Sequence, residues 1–344
     1  MRVSQYILSL LFVAGLCLLG SMVWRVGVTD LLTSFQAVGL WIVPWIMLES
    51  IPVLCHTAGW AACFSTGHPA VSFWRLCLVR LAGSAINQVT PTAALGGEVV
   101  KVVLLESTMP REHATAAVII GKASFTIAQI MHFALGTLYL TSRLQLPAEL
   151  RWSLVLTLSL IALGLVGFVA FQRYGLLSHV LQWLSGYNIA PRHLQRWRQQ
   201  LLPLEAQMTA YYTTHPWRFV RSLGWHFVAF ACGNVQNYLL LRLLLGAQAP
   251  GLPDAIMVTV TSGILDQMFF LVPGGLGTFE GIRSTMLATV GVASVYGLAF
   301  GLLSRLQIMV WNGLGLLAYV WHTHTTKRQD TLRRVDTGAG HSLP

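Results

Sequence analysis

Long apolar stretches separated by short polar segments dominate the chain. In a lipid bilayer a helix needs about 20 apolar residues to cross, and only helices and closed barrels satisfy their backbone hydrogen bonds there. The alternating pattern of barrel strands is absent from the sequence. The pattern predicts an all-α, polytopic integral membrane protein with about eight transmembrane helices and one or two re-entrant or broken helical segments. The candidate spans are 6–24, 37–64, 113–141, 150–172, 219–245, 255–272, 286–303 and 306–322.

Composition supports this class and excludes others. Of the 344 residues, 55% are hydrophobic and only 10% charged, whereas a soluble domain carries roughly a quarter charged residues. The formal charge of +10 lies mainly between and after the apolar segments, which suits anionic lipid headgroups. No basic soluble module is available for nucleic acid. The five cysteines lack metal-type spacing, so we predict neither a metal nor a cofactor.

Basic residues predict the orientation. The longest polar segment, 173–218, is rich in arginine, and so is the tail, 326–344; both are assigned to the cytoplasm because cytoplasmic loops carry an excess of Lys and Arg. Both termini are then cytoplasmic, and 1–325 forms one transmembrane domain. Segment 173–218 mixes tryptophans with arginines, which fits interfacial helices or an ordinary connector. The interrupted stretch 76–110 is predicted to leave and return on the cytoplasmic side.

Two short phrases in the sequence resemble each other. "VTPTAALGGEVVKVVLLE" (89–106) and "VPGGLGTFEGIRSTML" (272–287) each contain a Pro, then glycines, a Glu seven positions after the Pro, and a basic residue three positions later. A helix that restarts after such a break exposes N–H groups and a positive dipole end, which suits an anionic phosphate. Charge counting leaves two placements open for the second phrase: a cytoplasmic turn, or a re-entrant loop from outside.

Charged residues inside a membrane cost free energy and mark functional positions by default. We therefore predict a translocation site for a lipid headgroup near the two breaks. Its predicted residues are Arg80, Glu98, Lys101, Lys122, Asp266, Glu280 and Arg283. The alternative is that Glu98 with Arg80 or Lys101, and Glu280 with Arg283, are structural ion pairs.

Four polar residues stand in apolar spans, of which Lys122 was named above. Glu49 and Lys122 either pair with each other or face a shared cavity. His132 and His226 are more often packing residues than proton carriers. The sequence contains none of the familiar catalytic or nucleotide-binding motifs.

At the two phrases the sequence resembles the transmembrane, flippase-like domain of the lysylphosphatidylglycerol synthase family. The similarity covers roughly 5–325, and its motif positions, besides Glu98 and Glu280, are Pro91, Gly96, Gly97, Pro273, Gly274, Gly275 and Gly277. The first phrase departs from the expected glycine-rich turn at Thr92, Ala93 and Ala94. In the full synthase this domain precedes an aminoacyl-transferase domain, which the sequence after 325 does not resemble.

The resemblance implies a stand-alone lipid translocase of the bacterial inner membrane, which moves a phospholipid, glycolipid or polyprenyl- or hopanoid-type lipid. Its partners would be membrane lipids, with a separate lipid-biosynthetic enzyme as an additional candidate. Two other functions stay open. The protein could be a non-catalytic membrane partner of a lipid-modifying enzyme, or an intramembrane transferase with Glu98 or Glu280 as general base.

Overall fold

The computed structural model describes residues 13, 17–64, 71–89, 95–143, 147–186, 191–269 and 272–339. Within these ranges the regular elements are all helical, which confirms the predicted fold class. The α-helices in chain order are α1 (Cys17–Val26), α2 (Val28–Val38), α3 (Ile42–Leu48), α4 (Ser50–Ala61), α5 (Phe73–Val89), α6 (Gly96–Leu105), α7 (Arg111–Arg143), α8 (Ala148–Arg173), α9 (Leu176–Gly186), α10 (Pro191–Thr214), α11 (Pro216–Leu245), α12 (Leu252–Met268), α13 (Thr278–Ala288) and α14 (Ser294–Ala339).

The long apolar helices confirm a polytopic membrane protein. Among the described residues, five helical stretches are long and apolar enough to cross a bilayer: Val28–Ala61, Arg111–Tyr139, Arg151–Arg173, Pro216–Gln248 and Ser294–Trp321. The first four of these match predicted spans. Most of the predicted span 6–24 lies outside the described residues, where only its end is seen as the shorter apolar α1.

The prediction of two separate spans at 286–303 and 306–322 is wrong. Both windows fall largely on α14, which runs without a break from Ser294 to Ala339. The apparent gap in hydropathy comes from Arg305 and Gln307, which are internal: Arg305 pairs with Glu280, and Gln307 donates a hydrogen bond to Glu49. Polar residues that face a partner inside a bundle interrupt the apolar pattern without ending the helix.

Contacts between helix termini define two ends of the bundle. At the first end, α4 finishes beside the start of α11: Tyr211 donates to the carbonyl of Ala62 at 3.1 Å, and Arg218 donates to the carbonyl of Phe64 at 2.9 Å. At the second end, the Tyr139 hydroxyl on α7 lies 3.5 Å from a carboxylate oxygen of Asp254 at the start of α12.

The first phrase lies in a helical hairpin, α5 with α6, which we call hairpin 1. Its base is at the first end, where the Arg75 guanidinium donates to the Ser107 hydroxyl at 2.8 Å. Near its tip the N–H of Gly97 donates to the Asn87 side chain at 2.6 Å. A Cβ at Gly97 would overlap the carbonyl oxygen of Gly83, so the close approach of α6 to α5 requires glycine.

The second phrase lies in hairpin 2, α12 with α13, whose base is at the second end. Its tip turns through Gly274, Gly275 and Gly277, with φ of 63°, 60° and 73°, a left-handed conformation that favours glycine. The two hairpins therefore enter the bundle from opposite ends. The predicted span 255–272 falls on α12 and is one arm of this hairpin rather than a separate crossing. That hairpin 2 enters from outside the cell stays a prediction. Because α14 crosses once, its C-terminal part still returns to the first end.

The chain contains an inverted repeat. A helix, a hairpin and a long helix occur as α4 to α7 and again as α11 to α14, and the single crossing of α8 separates them. The two units interlock: α5 packs on α14, α12 packs on α7, and α4 packs on α11. Such repeats with broken helices are a recurring architecture of secondary transporters.

Segment 173–218 folds largely as α9 and α10. The buried carboxylate of Glu205 accepts the N–H of Ser178 at 3.1 and 3.2 Å, which joins the start of α9 to α10. Tyr211 and Tyr212 at the end of α10 are buried in the core at the first end. The described part of the segment is therefore helical and anchored to the bundle, while its position at the membrane interface stays a prediction.

Candidate functional site

The charges of hairpin 1 form a compact ion cluster at the start of α6. The Lys101 ammonium donates to both carboxylate oxygens of Glu98, at 3.0 and 2.9 Å. The Lys122 ammonium on α7 lies 3.9 Å from the same carboxylate. Lys101 also sits 5.6 Å from the ring centroid of Trp60, so the cluster is packed against α4.

The carboxylate of Glu280 in hairpin 2 is completely buried, with 0% of the side chain exposed. It accepts the N–H of Gly277 at 3.0 Å, and Arg305 on α14 donates to both of its oxygens. The same guanidinium donates to the carbonyls of Gly274 at 2.7 Å and Gly275 at 2.9 Å. Arg305 therefore ties the tip of hairpin 2 to α14.

Arg283, the basic residue of the second phrase, pairs with Asp266 rather than with Glu280. Its guanidinium donates to the two Asp266 oxygens at 3.2 and 2.9 Å and to the carbonyl of Phe279 at 3.0 Å. This bidentate pair joins α12 to α13. One of the open alternatives, a Glu280 pair with Arg283, is thus replaced by two pairs that the sequence did not indicate.

The two ion clusters correspond to each other in the repeat. Glu98 and Glu280 occupy the same position in their phrases, and each meets a cation on the long helix that follows its hairpin. Lys122 comes 24 residues after Glu98, and Arg305 comes 25 residues after Glu280. The repeat therefore extends beyond the two phrases to the basic residues on α7 and α14.

A polar cavity of about 300 Å³ lies between α4, α11, α14 and the two hairpins. In the cavity wall, Gln307 donates to the Glu49 carboxylate at 2.7 Å. The Ser304 hydroxyl is buried and has no hydrogen-bond partner in the described part of the chain. The cavity is lined by Glu49, Val53, Arg80, Leu81, Ser84, Gly233, Gln236, Asn237, Phe279, Arg283, Ser304, Gln307, Ile308, Trp311 and Asn312.

Arg80 differs from the other intramembrane arginines. Arg283 and Arg305 are committed to carboxylates and carbonyls, but no hydrogen bond joins the Arg80 guanidinium to the described side chains. Its electrostatic partners are Glu49, across the cavity, and Glu98. The five N–H donors of a guanidinium match phosphate and carboxylate oxygens, so Arg80 supplies the polar cavity with an anion-binding group.

An apolar groove of about 430 Å³ adjoins the polar cavity on the lipid-facing side of α4 and α11. Ile51, Val228 and Val235 line it and are 46%, 43% and 47% exposed. Gln236 lines both the groove and the cavity. Its side chain donates to the carbonyl of Trp45 at 2.9 Å, and the Trp45 indole donates back to the Gln236 carbonyl at 2.8 Å. Gln236, held in place by Trp45, therefore lies between the two spaces.

The structure separates the predicted site residues into groups. Arg80 and Arg283 line the polar cavity, and Asp266 joins it through Arg283. Glu98, Lys101 and Lys122 lie together beside hairpin 1, and Glu280 is enclosed in hairpin 2. Among the motif positions, Gly96 and Gly97 begin α6, and Pro273, Gly274, Gly275 and Gly277 form the tip of hairpin 2, while Pro91 lies outside the described residues.

Sequence reasoning missed most of the α14 contribution. Ser304, Gln307 and Asn312 were not proposed as site residues, and Arg305 was not paired with Glu280. The available signal was the spacing of Lys122 and Arg305 behind the two phrases. Neither alternative for Glu49 and Lys122 holds. Glu49 lines the polar cavity, whereas Lys122 is not in its lining and lies 3.9 Å from the Glu98 carboxylate.

Comparison with known proteins agrees with the sequence resemblance. The family model described as Lysylphosphatidylglycerol synthase TM region matches residues 6–314. A UPF0104 membrane protein of Methanothermobacter thermautotrophicus is 25% identical over 299 residues, covering 80% of this chain and 82% of that protein. No solved structure matches the chain.

Proposed function

Because the chain belongs to the family of lysylphosphatidylglycerol synthase TM regions, we propose that it moves a lipid between the leaflets of the bacterial inner membrane. The observation that carries this proposal is the polar cavity between two hairpins that enter from opposite ends. In its wall the Arg80 guanidinium has no hydrogen-bonded partner among the described residues, and an apolar groove lies beside the cavity.

Arg80 is the proposed binding group for the lipid phosphate. An arginine inside a membrane protein is costly unless water or a partner satisfies its donors, and a phosphate oxygen would satisfy them at short range. Arg283 stands in the same wall, although Asp266 neutralises most of its charge. Ser304 and Asn312 add neutral donors for the rest of the headgroup.

Glu49 indicates a second chemical group of the proposed headgroup, an amine. It places a carboxylate in the same cavity as Arg80, so the cavity matches a headgroup that carries both a phosphate and an amino group. The carboxylates of Glu98 and Glu280 are already occupied by Lys101 and Arg305. We assign these two residues to holding the hairpins; their direct contact with the lipid stays a prediction.

The apolar groove is the proposed position of an acyl or polyprenyl tail. A headgroup is polar and its tails are apolar, so a translocator must offer both environments at once, side by side. The two environments meet at Gln236, which lines both. Movement of its side chain away from Trp45 would let a headgroup leave the leaflet while its tail stays in lipid.

The inverted repeat supports access from both leaflets. In transporters with this architecture, motion of one repeat against the other exposes a central site to alternate sides. We place the first end in the cytoplasm because Arg173, Arg218 and the basic residues after 326 follow the positive-inside rule. The N- and C-termini are then both cytoplasmic.

The test is leaflet exchange of a fluorescent phospholipid in proteoliposomes, read by quenching of the outer-leaflet dye. We expect the wild-type protein to accelerate exchange of a lipid that has both phosphate and amino groups, and Arg80→Gln to slow it at least tenfold. Arg242→Gln is the matched control, because Arg242 is exposed on α11 near the second end. It should exchange lipid at the wild-type rate.

Other outcomes would reject translocation. No acceleration by the folded wild-type protein with any phospholipid tested would favour the scaffold function. A change in the mass of the lipid, measured on the same vesicles, would favour the transferase. If Arg80→Gln and Arg242→Gln slow lipid exchange equally, the lipid does not pass through the polar cavity.

A further inference from the structure

A line of buried polar side chains runs from the first end towards the polar cavity, between α4, α7 and α11. At the first end, the Tyr211 hydroxyl interacts with the thiol of Cys63. The Cys63 sulfur lies 3.3 Å from the Ser222 hydroxyl, which in turn lies 2.7 Å from that of Ser124. Both hydroxyls are completely buried, at 0% exposure, and neither touches the polar cavity.

The next members of the line are two histidines. The Nδ1 atoms of His56 and His226 are 2.9 Å apart, so one ring donates its proton to the other. The rings are 9% and 2% exposed and are enclosed by Phe125 and Phe230. The Nε2 atom of His226 is buried and has no hydrogen-bond partner among the described residues.

Glycine makes room for this pair. A Cβ at Gly59 would lie 2.9 Å from both Cε1 and Nε2 of His226, so the unpartnered edge of the ring rests against the backbone of α4. The carbonyl of Gly59 is also 3.5 Å from the Cys63 sulfur. Gly59 therefore packs against both the histidine pair and the Cys63 sulfur. A proton would cross between these two groups through water, because no described hydrogen bond joins them.

The spacing of the line is regular and leads to the cavity. Glu49, His56 and Cys63 follow one another at intervals of seven residues, which is about two helical turns, or about 10.5 Å, for each step. Glu49 and His56 lie on one face of the helical stretch Val28–Ala61, and Cys63 follows in the turn just after it. Glu49 is in the wall of the polar cavity, so the line leads from the first end towards the proposed headgroup site.

We propose that this line conducts protons between the first end of the bundle and Glu49, so that lipid translocation is coupled to proton movement. This inference rests on the proposed function. Chains of ionisable and hydroxyl groups inside membrane proteins serve as proton relays, and histidine can accept and release a proton at either ring nitrogen.

The transfer through the histidine pair conserves every proton. A proton binds the free Nε2 of the donor ring, and that ring passes its Nδ1 proton across the 2.9 Å contact to Nδ1 of its partner. The partner then releases its own Nε2 proton. One N–H bond forms and one breaks at each ring, and the pair is left with the two tautomers exchanged. Rotation of both rings, or return of a proton, resets it.

Neighbouring cations destabilise the state in which one histidine of the pair is an imidazolium. Arg80 on α5 and Lys101 on α6 both act electrostatically on His56 and His226. On α7, Lys122 lies 5.5 Å from the ring centroid of Phe125, and His132 stacks on Phe230. An imidazolium formed there meets repulsion from these cations, which favours release of its proton. The step of about 10.5 Å to the carboxylate of Glu49 requires water as the carrier, because no described hydrogen bond joins Glu49 to His56.

Proteoliposomes with an entrapped pH-sensitive dye test the proposal, with lipid exchange recorded on the same vesicles. Wild-type protein should move protons when a transported lipid is present, and little without it. His226→Phe should reduce this movement at least tenfold and retain passive lipid exchange. His132→Phe is the matched control in the same aromatic cluster and should leave proton movement unchanged.

The outcomes separate the inference from the proposed function. Lipid exchange by the wild-type protein without proton movement would overturn the relay and leave translocation intact, and this result needs no variant. Absence of both would refute translocation itself. If His226→Phe does not fold, His56→Gln keeps a hydrogen-bonding side chain at the pair, and proton movement at the wild-type rate in that variant would overturn the relay.

Discussion

Replacing Glu280 by Gln should destabilise the protein much more than the same change at Glu98. Glu280 is 0% exposed and accepts from Gly277 and twice from Arg305. Breaking a buried ion pair costs about 3–5 kcal/mol. Arg305 keeps its carbonyl acceptors at Gly274 and Gly275, so the lower part of that range, about 3 kcal/mol, applies.

Glu98→Gln should lower the free energy of unfolding less, because the ion cluster of Glu98, Lys101 and Lys122 is less enclosed. The side chains of Glu98 and Lys101 are 14% and 15% exposed, and that of Lys122 is 39% exposed. Flexible lysines can turn towards water after the charge is lost, which leaves a cost of about 1 kcal/mol, typical of exposed pairs. The two substitutions are chemically identical and occupy equivalent places in the repeat, so each controls for the other.

Thermal unfolding in detergent, followed by tryptophan fluorescence, measures the difference. A loss of about 3 kcal/mol lowers the midpoint by about 6 °C or more, and about 1 kcal/mol lowers it by about 2 °C. The double variant with Arg305→Gln should lose less than the sum of the single changes, since the pair then disappears together. Equal midpoints for Glu280→Gln and Glu98→Gln, or additive losses in the double variant, would refute the assignment of Glu280 as the buried lock of hairpin 2.

Three further predictions concern packing, topology and the headgroup. Gly97→Ala should lower the unfolding midpoint by several degrees, because its Cβ would overlap the facing carbonyl on α5. Gly164→Ala is the control: no atom lies within 4 Å of its new Cβ, so the midpoint should stay unchanged or rise slightly. Equal midpoints for the two variants would contradict the packing of hairpin 1. Thr289→Cys should react with a membrane-impermeant thiol reagent from outside the cell and Arg111→Cys only after permeabilisation, above the background of the five native cysteines; labelling from the same side would exclude opposite hairpins. Glu49→Gln should slow exchange of an amino-containing phospholipid about tenfold, which corresponds to a loss of about 1.4 kcal/mol of interaction free energy. Exchange of the matching lipid without the amine should be unchanged. An equal effect on both lipids would show that the carboxylate does not bind the amine.

The helices that face lipid could be predicted from the sequence because their pattern depends on local composition. The apolar window of α8, with hydropathy 2.6, has none of its residues buried inside the protein, and its predicted bounds, 150–172, are close to the observed ones. The two phrases were equally visible, since their glycines and charges interrupt apolar runs. Local sequence is enough to predict such features because each depends only on the residues next to it in the chain.

The pairing of residues across the bundle could not be predicted in this way. Glu49 meets Gln307 over a separation of 258 residues, and the choice between partners depends on how α4 and α14 pack. The same limit explains the error at α14, where Arg305 and Gln307 face partners in other helices. A hydropathy window records that these residues are polar but not whether they face a partner or water.

Helix α14 packs closely against both hairpins. It touches hairpin 2 at Gly301, where an added Cβ would lie 3.0 Å from the Cα of Glu280, and it touches hairpin 1 at Gly315, where a Cβ would overlap the carbonyl of Leu81. The two contacts are 14 residues, or about 21 Å, apart along one rigid rod. We therefore expect a movement of α14 that changes one contact to act on the other as well. Opening of the two hairpins is then coupled through α14, and the coupling free energy is the same in both directions.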